Sequence, residues 1–217
     1  MNFPKTSFLK YNGLYFNLLL SLSFAILLLF LRMKLTHSHF YVFLVWNLFL
    51  AGIPFLITQG LKLKQKTTKL TFFLGFTSWL LFLPNSAYII TDLVHLHNEN
   101  SNLIWLDLFL VFVFALNGLL LGLLSIMDMF SMLKTRFNQK VATYTIFKVC
   151  LLSGYGIYLG RFLRFNSWDI LAKPKTLFLD IVHSVSEPKA WLMIFAFGGF
   201  QWVLFTLMKS VANEKKY

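Results

Sequence analysis

Six long apolar runs narrow the folds open to this chain more than any other feature. They cover residues 14–31, 40–61, 70–93, 105–127, 141–163 and 191–208. A helix needs about 20 apolar residues to cross the hydrocarbon core of a bilayer. Lipid offers no partner to an unpaired backbone group, so such runs must be helical. The expected fold is all-α, a polytopic membrane bundle of six spans. Composition agrees: 58% of residues are hydrophobic and 13% are charged, where a soluble domain carries about 25% charged residues. No low-complexity linker interrupts the runs, so residues 1–217 read as a single membrane domain. Lys5 and Lys10 precede the first run as they would in a signal peptide. The run is long and no small-x-small cleavage pattern follows, so a retained span is expected.

The net charge of +12 comes from 20 basic and 8 acidic residues. The basic residues cluster between the apolar runs, which points to loops at a membrane surface and away from nucleic acid. With six spans, the termini share one side. Twelve of the Lys and Arg fall on that side and seven on the other; Lys148 lies inside the fifth run, positioned to snorkel inward. The termini are therefore expected to be cytoplasmic. All five histidines then lie on the outer side, with Asp92, Glu99, Asp107, Asp169, Asp180 and Glu187. Asp128 and Glu214 are the inner acids. The single cysteine, Cys150, permits no intrachain disulfide.

Pro84 interrupts the third span, where it removes a donor and clashes with the carbonyl of Leu80. If the helix resumes, Asn85, Tyr88, Asp92 and His95 fall within an arc of about 80°. Intramembrane ionisable groups are costly and carry a functional expectation; a hydrogen-bonded network locking helices together explains them equally well. The fifth span ends in Gly156 and Gly160, a small-xxx-small pair suited to close packing, followed by Arg161 and Arg164. Two guanidinium forks at a membrane surface suit a carboxylate or phosphate. Neutralisation of Asp92, Asp107 or Asp169 is the structural alternative. Pro174 opens an expected interfacial helix over 174–186, whose apolar residues include Leu177, Ile181 and Val185. It carries Asp180 and His183, echoing Asp92 and His95. Together these four would suit a divalent metal such as zinc, although Asp-x-x-His is a weak motif. Asn47, Gln59, Asn117 and Gln201 read as helix-to-helix hydrogen bonders.

Two segments, Leu81-Phe82-Leu83-Pro84-Asn85-Ser86-Ala87-Tyr88-Ile89-Ile90-Thr91-Asp92-Leu93 and Gly160-Arg161-Phe162-Leu163-Arg164-Phe165-Asn166-Ser167-Trp168-Asp169, resemble a family of bacterial multi-pass membrane proteins, domain of unknown function 1361. In the family pattern a proline often precedes the tyrosine; Ala87 stands there instead, which favours a more regular helix. The resemblance implies a bacterial plasma-membrane location and no particular activity. It adds weight to Asn85, Tyr88, Asp92, Arg161, Arg164, Asn166 and Asp169 as a set.

Three functions fit. The first is a membrane-embedded enzyme acting at the outer leaflet on a lipid-linked or phosphorylated substrate. Arg161 and Arg164 would hold the anion, Asp92 and His95 would act as acid, base or metal ligands, and Asn85, Tyr88, Asn166 and Asp169 would bind substrate. The second is a transporter or channel lined by the broken third span. The third is a non-catalytic membrane assembly partner. The bilayer is the one partner common to all three.

Overall fold

The computed structural model describes residues 5–64, 67–98 and 103–214, without the side chains of 5–12, 95–98 and 171. Lys66, Glu99, Lys215 and Lys216 lie outside the described residues, as do the side chains of Lys5, Lys10, His95 and His97.

Among the described residues every element is helical. Helix α1 covers Lys5–Thr36. After a short 3₁₀ turn at Phe40–Val42 come α2, Phe43–Leu63, and α3, Lys69–Phe82. Helix α4, Pro84–Tyr88, leads into a 3₁₀ segment, Ile89–Asn98. The long α5, Ile104–Arg136, is followed by α6, Gln139–Arg161. Short helices α7, Asp169–Ala172, and α8, Pro174–Ser184, form a surface excursion. Helix α9, Pro188–Met193, passes through a π-helical turn at Ile194–Gly198 into α10, Gly199–Glu214. Helix α8 falls where the interfacial helix was expected.

Five helical stretches are long and apolar enough to cross a membrane. The chain is an α-helical membrane protein. Helix α6, the fifth expected span, is not among the five. Its 23 residues are long enough, but Lys148, Ser153, three glycines and three tyrosines dilute its apolar character. Part of this follows from position: the three glycines face Pro84, Tyr88 and the Met193–Gly198 segment, whereas Lys148 is exposed.

Helix α5 is the axis of the bundle. It packs against α1, α2, α4, α6 and α10, and 72% of its most apolar window is buried, against 11% for α1. One apolar cluster fills the space between α1, α2 and α5 around Tyr41, Leu44 and Phe114; another lies between α3, α5, α6 and α10 around Trp79, Met129, Ile146 and Phe205. Lipid is as apolar as these side chains, so close packing and polar ties must hold the helices together. Trp79 Nε1 donates to Ser125 Oγ at 3.0 Å. Arg32, fully buried, pairs with Asp107 at 2.9 Å and lies over the Tyr41 ring. At the other end of the bundle Asp128 accepts from Gln59 and pairs with Lys62.

The small helix α4 is wedged between two seams of glycine. On the α5 side, a Cβ at Gly118 would stand 2.9 Å from the Ser86 carbonyl, and one at Gly122 would stand 2.5 Å from Ser86 Cβ. On the α6 side, a Cβ at Gly156 would overlap the Pro84 ring, and one at Gly160 would stand 3.2 Å from the Tyr88 ring. Each seam repeats at four residues, so its glycines share one helix face. The wedge fixes the C-terminal end of the Lys69–Val94 stretch against α6.

Candidate functional site

Pro84 cannot donate to the helix that precedes it, so α3 ends at Phe82 and the chain restarts at Pro84. Asn85 stabilises the break: its Nδ2 donates to the Phe82 carbonyl at 3.0 Å and to Ser167 Oγ at 3.0 Å. That second bond ties the third span to the loop after α6. Beyond Tyr88 the chain tightens into 3₁₀ winding, near 120° per residue. The expected polar stripe therefore does not hold. Asp92 is turned about 120° from Tyr88, not the 40° of a continuous α-helix. The regularity expected of Ala87 extends only to Tyr88.

Asp92 is buried, 2% exposed. Its Oδ2 accepts from Asn47 Nδ2 at 2.8 Å, and its Oδ1 stands 3.5 Å from Arg161 Nη1. Asn47 thus makes the interhelical bond its position suggested. Arg161 takes the neutralising partner offered by Asp92. Asp107, also buried, belongs instead to Arg32, a pairing with no mark in the local sequence.

Helix α6 ends at Arg161, and Arg164 lies beyond it with φ 59°. The two arginines therefore do not share a helix face, as one-turn spacing had suggested. A left-handed residue at a helix end is usually glycine. Here it is arginine, at a backbone cost of roughly 1–2 kcal/mol. The reversal lets the Phe165 N–H reach the Leu159 carbonyl at 3.1 Å. Asp169 holds the rest of the loop: its Oδ2 accepts from the Asn166 backbone N–H at 2.7 Å and from Asn166 Nδ2 at 3.3 Å.

A cavity of about 750 Å³ opens between these elements. Trp46, Asn47 and Leu50 of α2 form one wall, and Leu152 to Arg161 of α6 the opposite one. Asn85 and Tyr88 lie between them, with Leu80, Leu81 and Pro84 deeper. Arg161, Arg164, Asn166 and Ser167 form the polar rim. Leu177 and Ile181 of α8 complete the lining. Along α6 the cavity runs about 13 Å, from Leu152 to Arg161. It is polar at one end and apolar at the other.

Of the expected site residues, Asn85, Tyr88, Arg161, Arg164 and Asn166 line this cavity. Asp92 and Asp169 stand behind it, as counter-ion and loop brace. Asp180 and His183 lie on α8, half-buried and exposed respectively, and do not line it. Among the described residues no group of three His, Cys, Asp or Glu is placed to hold a metal ion; the His95 side chain lies outside them. Sequence reasoning expected the loop before the sixth span to cover a pocket between the third and fifth spans, and Leu177 and Ile181 of that loop do line the cavity; it missed Trp46 and Ser167 as parts of the wall. Helical spacing does mark Leu177 and Ile181 as neighbours, but not what they face.

No curated protein and no solved structure matches the chain. A family model described as "Protein of unknown function (DUF1361)" matches residues 46–204, from Trp46 of the cavity wall past every residue that lines it. The chain belongs to that family.

Proposed function

We propose that this cavity recognises the anionic headgroup of a lipid-linked or phosphorylated substrate, and that the protein is a membrane-embedded enzyme acting on it at the outer face. The carrying observation is the rim. Arg161 and Arg164 line one cavity, and Asp92 offsets only Arg161. Arg164 has no ion pair among the described residues and is exposed at the cavity edge. A phosphate or carboxylate there would meet a fork held in place by its backbone reversal. Leu50, Leu80, Leu81 and Leu152 below the rim suit an apolar portion of the same molecule. The described side chains lining the cavity include no carboxylate and no imidazole. In this reading the lining supplies recognition, and acid–base work falls to Asp92 or to the segment carrying His95.

The same reading places six spans in the bacterial plasma membrane, with α6 as the fifth and both termini cytoplasmic. The support is the excess of Lys and Arg on the terminal side and the length of α6. The test is calorimetry on detergent-solubilised protein with dihexanoyl phosphatidic acid, inorganic phosphate and dihexanoyl phosphatidylcholine. Saturable binding of the phosphatidic acid, weakened about tenfold by Arg164→Ala, is expected. Binding of inorganic phosphate alone would assign a soluble phosphorylated substrate. Binding that ignores Arg164→Ala, or none at all, overturns the proposal.

A further inference from the structure

The opposite end of α6 carries a second arrangement, independent of the outer cavity. Lys140, Tyr144 and Lys148 recur at four-residue spacing, so they lie along one face with a drift of about 40° per step. Lys148 is exposed, nine residues and about 13 Å into the helix. An exposed ammonium at such depth in a membrane helix is costly unless it reaches a polar surface or an anion. Its Nζ turns back to 4.3 Å from the centre of the Tyr144 ring, towards the Lys140 end.

A groove of about 440 Å³ lies alongside, lined by Gln139, Lys140, Thr143, Tyr144, Phe147 and Trp202. Phe147 and Trp202 meet edge-on at 5.2 Å and bridge α6 to α10. Lys209 of α10 closes the other side: its Nζ is 3.5 Å from Thr143 Oγ1 and 4.8 Å from the Phe130 ring centre. Three ammonium groups thus line the groove or touch a residue that lines it. Among the described residues none of the three pairs with a carboxylate.

We propose that this groove binds the headgroup of an anionic phospholipid, with Lys140, Lys148 and Lys209 around the phosphate and Phe147 and Trp202 against the glycerol and upper acyl chain. Charge complementarity selects the occupant. Three unpaired lysines around a partly aromatic groove between membrane helices suit an anionic lipid headgroup and gain nothing from a zwitterionic one. Along α6, Arg161 is about 33 Å from Gln139 and about 20 Å from Lys148, so the outer cavity and this groove would serve opposite leaflets.

Bromine quenching of tryptophan reads the groove directly. The protein is reconstituted into phosphatidylcholine vesicles containing brominated phosphatidylglycerol or, separately, brominated phosphatidylcholine. The difference between the unmodified protein and Trp202→Phe isolates the Trp202 signal and excludes Trp46 at the outer cavity. Brominated phosphatidylglycerol is expected to quench Trp202 preferentially. Lys148→Met should lower that preference about fivefold, and Lys148→Arg, which keeps the charge, should retain it. Equal quenching by the two lipids, or a preference that survives Lys148→Met, would show ordinary boundary lipid and overturn the proposal. Retention in Lys148→Arg also separates loss of charge from loss of fold.

Discussion

Arg161 Nη1 and Asp92 Oδ1 stand 3.5 Å apart and join α6 to the 3₁₀ segment behind the cavity. The carboxylate is 2% exposed and the arginine side chain 20%. Removing one partner of such a pair leaves the other charge buried and uncompensated. Arg161→Gln is expected to destabilise by about 3 kcal/mol, and Asp92→Asn by less, because Asn47 remains near the amide. The double variant should cost less than the two single changes combined. Denaturant unfolding in a fixed detergent measures the cycle. Strict additivity would mean that the pair contributes no coupling.

Arg164 joins backbone strain to exposure. Its φ of 59° lies where glycine carries no steric cost. Arg164→Gly is therefore expected to leave the fold at least as stable, gaining up to about 1 kcal/mol, while losing the anion-binding fork. Thermal unfolding and calorimetry with dihexanoyl phosphatidic acid should move in opposite directions. A fall in both would make Arg164 a structural residue.

The glycine seam against Pro84 gives a steric test. A Cβ at Gly156 would overlap the Pro84 ring, whereas one at Gly52 would meet nothing within 4 Å. Gly156→Ala is expected to cost about 1–3 kcal/mol by forcing α4 away from α6. Gly52→Ala should be neutral or mildly stabilising. Thermal unfolding of both variants in one detergent decides, and similar values would mean that the seam is loose.

A side-chain hydrogen bond between α6 and α8 helps to hold the cover of the cavity. Tyr155 Oη and Ser184 Oγ are 2.6 Å apart, and Ser184 is 2% exposed. Phe178, Leu179 and Val182 on the same helix face outward. Tyr155→Phe removes roughly 1 kcal/mol of holding energy. Amide exchange across Pro174–Ser184 should then rise about fivefold. Unchanged exchange would show that Leu177 and Ile181 hold α8 without the hydroxyl.

Much of this architecture was legible in the order of residues. Apolar run length reports the solvent a helix must face, so α1, α2, α5 and the α9–α10 stretch could be read directly. The break at Pro84 follows from a missing donor, and the α8 helix from Pro174 and its apolar spacing. Of the seven residues singled out in the two motif segments, five line one cavity. Helix α6 was harder, because a helix packed against protein can hold glycine, tyrosine and serine that lipid would disfavour.

What the sequence determined by itself was which segments are long and apolar enough to cross a membrane and where a helix must break, because period and hydropathy are local properties. Only the tertiary structure decided partners. Asp92 meets Arg161 and Asn47, Asp107 meets Arg32, and Asn85 meets Ser167 across 82 positions of chain. Each of these contacts depends on the rotation and depth of one helix against another. For Asn85 and Asp92 those are set by the glycine seams that seat α4 between α5 and α6, and by the tighter 3₁₀ winding after Tyr88 that turns Asp92 behind the cavity wall.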